Sequence, residues 1–182
     1  MPRLISAEDS SLLVIDVQDR LLRHVHGWQA LLNNVIWLVR VAKRMGVPVM
    51  ATEQYPKGLG HTTPELAKEL PENAVAGKVH FSCAAAQCLP GLQGSERTQV
   101  VICGMESHVC VQQTALELRW QGKDVFVVGD SVGSRNPNDK AFALERMRGH
   151  GIDIVSREMV AFEWLRQAGT PLFKEISLEF LR

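Results

Sequence analysis

The sequence has 182 residues, 46% of them hydrophobic, which is enough for one buried core and short for two, so we expect a single domain over residues 1–182. Its 20 Lys and Arg residues balance 20 Asp and Glu residues without a run of like charge, which argues against nucleic acid or an anionic membrane as a partner. Because the chain lacks both an apolar run of about 18 to 20 residues and the apolar centre of a signal peptide, we expect a soluble, cytoplasmic protein.

The first half of the chain contains strand and helix patterns in turn. The run SLLVIDV is apolar up to Asp16, as expected of a strand buried on both faces of a parallel sheet. Apolar residues at helical spacing follow it, and a second apolar run then leads into a loop rich in Gly and Pro. The predicted elements are strand 11–17, helix 28–45, strand 47–52, loop 53–64, a short strand around Lys78 and a short helix 84–92.

From residue 98 onward the alternation of strand and helix becomes regular. The predicted elements are strand 99–103, helix 107–121, strand 124–128, helix 137–149, strand 152–156 and helix 157–167. Such alternation implies right-handed crossovers, and therefore an α/β fold in which helices cover both faces of a parallel sheet. The tail, about residues 170–182, is expected to pack on the domain or on a neighbouring subunit. Its apolar side carries Leu172, Phe173, Ile176 and Phe180.

Three polar residues, Asp16, Lys78 and Cys110, lie at or beside predicted strands, and open parallel sheets bind ligands beyond the carboxyl ends of their strands. Ser107 is a natural N-cap that would place Cys110 in the first turn of a helix, where the helix dipole and a nearby ammonium favour the thiolate. A carboxylate beside the thiol could take its proton and pass it to a leaving group, so the three residues form a coherent acyl-transfer set. The alternative is that Asp16 caps a turn, Lys78 is a solvated charge and Cys110 is a small core residue. Spacing alone leaves both open.

The other cysteines, Cys83, Cys88 and Cys103, fit neither a disulfide framework nor a paired C-x-x-C zinc pattern when taken with Cys110. We therefore expect free thiols in a reducing compartment, with structural roles for Cys83 and Cys103. Neither strand 11–17 nor strand 99–103 is followed by a glycine-rich phosphate loop, so no nucleotide cofactor is expected.

Residues Gly129 to Gly133 match the G-x-S-x-G pattern of a serine esterase, with Asp139 and His150 downstream in the matching order. A nucleophile elbow requires the helix to begin directly at the serine. Here the segment SRNPN follows the second glycine, and its proline, Pro137, opens the helix. We interpret the segment as a turn that borders the site.

Several stretches together resemble the signature regions of the isochorismatase-like cysteine hydrolases. These are LLVIDVQDRLL around Asp16, GKVHFSC around Lys78 and VVICGMESHVCVQQTALELRWQGKDVFVVGDSVGSRNPND around Cys110. The likeness continues through ATEQYPKGLGHT and PLFKEI to the subgroup called isochorismatase domain-containing proteins. It covers nearly the whole chain in the order of the family.

By that resemblance Asp16, Lys78 and Cys110 match the catalytic triad of the family. The resemblance also implies a cis peptide between Met105 and Glu106, and an oxyanion hole formed by the backbone N–H groups of Glu106 and Cys110. The implied fold is a Rossmann-like three-layer α/β/α sandwich with a mostly six-stranded parallel sheet. The implied activity is cofactor-free hydrolysis of a small amide-like or ester-like substrate through a thioester-type intermediate, in a protein that forms a homo-oligomer.

Two departures from other family members narrow the expectation. True isochorismatases lack a cysteine at the position of Cys110, which points away from vinyl ether hydrolysis. Metal-using nicotinamidases carry an Asp-x-His pattern and a further His after the second strand, whereas this loop offers only Glu53 and His61, so no metal site is expected.

Five further residues lie close to the triad in sequence or in the adjacent loop and are candidates for contact with substrate. They are Gln18, Tyr55, Phe81, Ser107 and His108. Packing or capping is the alternative role for each. A second hypothesis for the whole protein is an oligomeric binding or scaffold protein whose reactive thiol performs no turnover. It is motivated by the resemblance, because substrates of this subgroup are mostly not established, and by the apolar residues of the tail.

Overall fold

The computed structural model describes residues 4–181 and contains one six-stranded parallel sheet with the order β3-β2-β1-β4-β5-β6. The strands are β1 Ser10–Ile15, β2 Val49–Gln54, β3 Val75–Lys78, β4 Gln99–Met105, β5 Asp124–Gly133 and β6 Asp153–Val155. The helices are α1 Asp19–Leu22, α2 Trp28–Arg44, α3 Pro56–Leu59, α4 Pro64–Ala67, α5 Gln112–Trp120, α6 Pro137–Gly149, α7 Arg157–Leu165 and α8 Pro171–Phe180. A π-helical turn, Ser107–Val111, leads into α5.

Helices cover both faces of the sheet, because the strands are apolar on both sides. In β1, Leu12 and Val14 pack against one core with α2 and α7, whereas Leu13 and Ile15 pack against a second core with α5 and α6. The predicted three-layer α/β/α architecture with a parallel sheet is therefore confirmed.

The strand order reverses between β1 and β4, which are neighbours in the sheet although they are far apart in sequence. In an open α/β sheet the crevice beyond such a reversal is where ligands bind. Asp16 follows β1 directly, and the π-helical turn with Cys110 follows β4, so the topology brings both to this crevice.

The carboxyl-terminal tail forms α8 and packs against α2 of the same chain. Ile176 is fully buried, and the Trp37 and Phe180 rings meet edge to face at 6.2 Å between their centroids. The Trp37 Nε1–H also donates to the carbonyl oxygen of Phe180 over 3.1 Å. Leu172, on the same predicted side, stays 38% exposed. Arg182, the last residue of the predicted tail, lies outside the described residues.

Several predicted boundaries were wrong. Strand β2 continues to Gln54, because Glu53 and Gln54 pair with Gly77 and Lys78 of β3 despite their polar side chains. The predicted helix over 84–92 is a series of turns, and the predicted turn over 129–133 is the end of the long strand β5. Within residues 4–181, none of the helices is long and apolar enough to cross a membrane.

Candidate active site

Asp16 stands at the carboxyl edge of the sheet with 1% of its surface exposed. Its φ of 52° lies in the left-handed region, which Asp tolerates better than most residues. Its N–H donates to the carbonyl oxygen of Thr52 over 3.1 Å, and Thr52 Oγ1 donates to Asp16 Oδ1 over 2.7 Å. Two hydrogen bonds with Thr52 of β2 therefore fix the backbone and the carboxylate of Asp16.

Lys78 ends β3, and its side chain is fully buried. Its Nζ donates to Asp16 Oδ2 over 2.7 Å, to Gln54 Oε1 over 2.6 Å and to the carbonyl oxygen of Phe81 over 2.9 Å. These acceptors use all three ammonium protons. Lys78 is therefore a buried, fixed charge paired with Asp16, and not a solvated one.

Cys110 lies in the π-helical turn with 7% of its surface exposed, and its Sγ is 3.9 Å from Gln54 Oε1. Burial, and after it the negative charge of Asp16, raise the pKa of Cys110 to about 12, although the Lys78 ammonium acts in the opposite direction. The helix dipole and Lys78 were expected to favour the thiolate, but burial and Asp16 outweigh them in the resting site. With this pKa the thiol is protonated at neutral pH, and a nucleophilic role would require a base to take its proton.

The expected N-cap at Ser107 was also wrong. The N–H of Val111 donates to the carbonyl oxygen of Glu106 over 3.2 Å, a bond of π-helical span, so Glu106 is the N-cap and Ser107 is the first residue of the turn. Cys110 is the fourth residue of that turn. The Ser107 hydroxyl is buried and has no hydrogen-bond partner among residues 4–181.

Gln54 is a fourth residue of the site, and it was not predicted from the sequence. Its Oε1 accepts from Lys78 and lies beside the Cys110 thiol, while its Nε2 donates to the carbonyl oxygen of Val79 over 2.7 Å. Thr52, which orients Asp16, was missed as well. Residues two apart in a strand share a face, so extending the second strand by two residues would have pointed to Thr52 and Gln54 together.

Gln18 holds Gln54 in place. Its Oε1 accepts from the N–H of Gln54 over 2.7 Å, and its Nε2 donates to the carbonyl oxygens of Gln54 and Gly60 over 3.0 and 2.6 Å. Both ends of the Gln18 amide are thus occupied by backbone groups. Gln18 therefore joins β2 to the following loop, and its amide is not free to bind a substrate.

The peptide bond between Met105 and Glu106 is cis. It follows Gly104, whose φ is 112° and at which a Cβ would lie 2.2 Å from the carbonyl oxygen of Ile15, so only glycine fits where β4 passes β1. Glu106 Oε2 accepts from the N–H and the Nε of Arg135 over 2.9 and 3.1 Å. The Glu106 carboxylate therefore anchors the start of the π-helical turn to the segment after β5.

His108 also links this turn to the segment after β5. Its Nδ1 lies 2.9 Å from Ser134 Oγ, and its Nε2 lies 3.9 Å from Asp139 Oδ2 in the first turn of α6. Ser134 is only 1% exposed, so this Ser, His and Asp arrangement lacks an accessible nucleophile. His108 is a packing and orienting residue of the turn in this geometry.

Tyr55 and Phe81 are about half exposed and lie on the edge of the sheet near β3. Tyr55 lines a pocket of about 520 Å³ together with Pro56, Lys57, Gly77, Lys78, Val79, His80 and Ala86. Phe81 contributes its carbonyl oxygen to Lys78. Tyr55 and Phe81 are the two exposed residues among the five candidates for substrate contact.

Glu53 and His61 form a separate pair, with His61 Nδ1 2.9 Å from Glu53 Oε2. Burial pushes the pKa of Glu53 upward, but hydrogen bonds from Thr62 and His61 outweigh it and hold that pKa below its usual value. In the part of the chain that the structure describes, no cluster of three or more His, Cys, Asp or Glu residues could hold a metal ion.

The G-x-S-x-G segment does not form a nucleophile elbow. Ser131 lies within β5, is fully buried, and its Oγ is 3.3 Å from Asp130 Oδ1. Asp139 faces His108, while His150 Nδ1 lies 3.0 Å from the carbonyl oxygen of Arg146. The downstream Asp and His therefore do not meet Ser131.

Comparison with known proteins gives one consistent family. The isochorismatase domain model matches residues 10–159. Isochorismatase family protein 1B of Dictyostelium discoideum is 37% identical over 177 residues, which cover 94% of this chain and 86% of that protein.

Two solved structures have the same fold over nearly all of the chain. The MAR1 ribonuclease from Caenorhabditis elegans superposes with a TM-score of 0.90 at 32% identity and covers 99% of this chain and 93% of its own. The YcaC gene product from Escherichia coli, described as an octameric hydrolase of unknown specificity, superposes with a TM-score of 0.86 at 27% identity and covers 92% of this chain and 85% of its own.

Proposed function

This chain belongs to the isochorismatase family, and from that premise we propose that it is a cofactor-free cysteine hydrolase of small amide-like or ester-like substrates. One observation carries the proposal: a buried ion pair, Lys78 with Asp16, shares its site with a buried thiol, because Gln54 Oε1 accepts from Lys78 and lies 3.9 Å from Cys110 Sγ. A buried ion pair is a poor device for stability, because apolar residues of the same volume serve as well or better. A charged pair beside a nucleophile, at the crevice of an α/β sheet, therefore favours a chemical role.

In the proposed reaction, Asp16 takes the proton of the Cys110 thiol as Sγ attacks the carbonyl carbon of the substrate. Lys78 keeps its proton and holds the carboxylate in position through the 2.7 Å contact. The high pKa of the resting thiol fits this order of events, because the attack and the proton transfer then occur together. Asp16 next gives the proton to the leaving amine or alcohol, and a thioester remains on Cys110.

Hydrolysis of the thioester reverses the roles. Asp16 accepts a proton from water as the water attacks the thioester carbon, and it returns that proton to the departing Cys110 sulfur. We assign the developing oxyanion in both steps to the backbone N–H groups of Glu106 and Cys110, each worth about 3 kcal/mol of transition-state stabilisation. The side-chain contacts of Glu106 with Arg135 support this assignment, because they immobilise the residue that carries one donor.

We propose a small molecule, and not nucleic acid, as the substrate. The formal net charge of zero offers no overall electrostatic attraction for a polyanion such as RNA. The nematode neighbour is named a ribonuclease, and we do not extend that substrate to this chain. The pocket beside Tyr55 and Lys78 has a volume that suits a small organic molecule, but neither Asp16 nor Cys110 lines it.

A homo-oligomer in the cytoplasm completes the proposal. The E. coli neighbour is an octamer, and this chain exposes large apolar side chains on α8 and near β3, including Leu178 at 52% and Val79 at 69%. Contacts between subunits would cover such side chains. The competing scaffold hypothesis shares the oligomer but predicts no turnover.

Turnover of a panel of p-nitrophenyl esters and p-nitroanilides tests the proposed function. We expect at least one to be hydrolysed, with loss of activity in Cys110→Ala and unchanged activity in Cys88→Ser, which alters another thiol outside the triad. Hydrolysis that survives in Cys110→Ala would reject the cysteine mechanism, and a folded protein inert toward every substrate would favour the scaffold.

A further inference from the structure

A turn after β3 brings Cys83 and Cys88 together. The N–H of Cys88 donates to the carbonyl oxygen of Cys83 over 3.3 Å, and the N–H of Gln87 donates to that of Ala84 over 3.1 Å, with Gln87 at a φ of 50°. These two nested bonds around a left-handed residue form a Schellman turn, in which the side chains at the two ends of the outer bond contact each other. In most proteins that contact is hydrophobic, whereas here both side chains are thiols.

The two thiols differ in their exposure. Cys83 is fully buried, and its N–H donates to Thr114 Oγ1 of α5 over 3.1 Å. Cys88 is partly exposed, and its Sγ is 3.6 Å from the carbonyl oxygen of Cys83. Cys88 is therefore within reach of solvent, and Cys83, at the other end of the same turn, is not.

The electrostatic surroundings also differ between the two. The pKa of Cys88 is lowered, first by the neighbouring Cys83 side chain and then by the Lys78 ammonium, which together outweigh burial. The pKa of Cys83 is raised by the Cys88 side chain and by burial. Together with its greater exposure, the lowered pKa makes Cys88 the more readily ionised of the two thiols.

We propose that Cys83 and Cys88 form a dithiol that reacts with hydroperoxides and closes to a disulfide, with Cys88 as the attacking thiol and Cys83 as the resolving thiol. Neither residue takes part in the proposed hydrolysis, so this site is independent of it. The hydrogen bond that closes the turn brings the two backbones together, as a disulfide requires.

The chemistry balances with one hydroperoxide per disulfide. The Cys88 thiolate attacks the terminal oxygen of the hydroperoxide, the O–O bond breaks, and the leaving oxygen takes a proton to give water or an alcohol. Cys83 then attacks the sulfur of the Cys88 sulfenic acid, the S–O bond breaks, and the thiol proton leaves with the hydroxide as water. Two thiols lose two electrons in total, and the hydroperoxide gains them.

The two other cysteines lack these features. Cys103 is fully buried in the sheet, where burial raises its pKa, and Cys110 is 7% exposed with a raised pKa. Hydrogen peroxide should therefore oxidise Cys88 and Cys83 before it oxidises Cys110. Since Phe81, just before the turn, accepts from Lys78, the disulfide would form two residues from a ligand of the catalytic ammonium.

Treatment of the reduced full-length protein with one equivalent of hydrogen peroxide, followed by alkylation and tryptic mapping, tests the proposal. Residues 79–97 form one tryptic peptide that contains Cys83 and Cys88 and no other cysteine. We expect this peptide to lose about 2 Da and to resist alkylation until reduced. Oxidation of Cys110 or Cys103 while this peptide keeps two free thiols would overturn the proposal.

Two single variants separate the assigned roles. In Cys83→Ser, Cys88 should stop at the sulfenic acid, which dimedone captures on the same peptide. In Cys88→Ser, the rate at which hydrogen peroxide oxidises the remaining thiol of this peptide, Cys83, should be at least about tenfold lower than the wild-type rate of oxidation of the peptide, because Cys83 is buried. Equal oxidation rates in wild type and Cys88→Ser would show that Cys88 is not the attacking thiol and would overturn the proposal.

Discussion

Lys78 Nζ and Asp16 Oδ2 lie 2.7 Å apart with 0% and 1% of their side chains exposed, in the same site as a neutral thiol. The pair orders the events of the proposed reaction, because the carboxylate that raises the Cys110 pKa at rest is also the base that removes the proton. Since both charges are buried, the attraction between them offsets the cost of removing each from water.

Breaking this ion pair should destabilise the fold. Lys78→Met leaves the Asp16 carboxylate buried without its counter-charge, which we expect to lower the free energy of unfolding by about 3–5 kcal/mol. Arg40→Met, which breaks the exposed Arg40–Glu69 pair at 2.6 Å, should cost less than about 1 kcal/mol. Urea unfolding of both variants measures the difference. Equal small losses would mean that the Asp16 charge is solvated or neutralised in another way.

Asp16→Asn should separate thiol reactivity from turnover. Removing the negative charge lowers the pKa of Cys110, so iodoacetamide should alkylate Cys110 faster in the variant than in wild type at about pH 8. Turnover should fall by at least about a hundredfold, because the base is gone. In wild type the Cys110 alkylation rate should rise about tenfold per pH unit from pH 7 to 10, since the thiol has a pKa of about 12 and only its thiolate reacts.

Rates are best followed at Cys110 by peptide mapping, because Cys88 is expected to react earlier. A slower Cys110 alkylation in Asp16→Asn would mean that the carboxylate assists the resting thiolate and does not suppress it. A flat rate between pH 7 and 9 in wild type would contradict the raised pKa itself.

Gln54→Ala should lower kcat/KM by about tenfold to a hundredfold, because Gln54 Oε1 fixes the Lys78 ammonium at 2.6 Å and lies beside the thiol. Gln54→Glu retains the acceptor but adds a negative charge, so it should not restore activity. Gln121→Ala, on an exposed glutamine at the end of α5, serves as the control. Circular dichroism checks the fold, and wild-type kinetics in a folded Gln54→Ala protein would remove Gln54 from the account.

Glu106→Ala should reduce kcat with little change in KM. The variant loses both bonds to Arg135 that anchor the proposed oxyanion donor, and we expect a fall of about tenfold in kcat. Arg135→Ala loses only the 3.1 Å side-chain bond and keeps the 2.9 Å backbone bond, so its loss should be smaller. A larger effect in Arg135→Ala would indicate that Arg135 acts through its own charge, and equal KM increases would indicate a role in substrate binding.

The sequence predicted the elements that apolar patterning controls. The apolar runs of β1 and β4 and the helical spacing of apolar residues in α2 are clear in the sequence, so the fold class and the positions of Asp16 and Cys110 beyond strand ends followed from them. Lys78 lies in a short, partly exposed strand, so its position in the sequence left its role open, and the resemblance to the family assigned that role.

The parts that were missed depend on tertiary contacts. Gln54 looks like a loop residue until β3 pairs with it, and Gln18 looks like a substrate ligand until β2 occupies its amide. The neutral state of Cys110 arises from burial and from a carboxylate far away in sequence, which local helix-dipole reasoning does not include. The turn that joins Cys83 and Cys88 requires the left-handed conformation of Gln87, and a glutamine in a sequence does not predict that conformation.

The central claim is that Cys110 is the nucleophile, and trapping its covalent intermediate tests this most directly. Wild type mixed with p-nitrophenyl acetate and quenched with acid should gain the mass of one acetyl group, and peptide mapping should place it on Cys110. Cys110→Ala should show neither that adduct nor turnover, whereas Cys88→Ser should show both. Full turnover by Cys110→Ala, or an acetyl group that maps to another residue during turnover, would contradict the account.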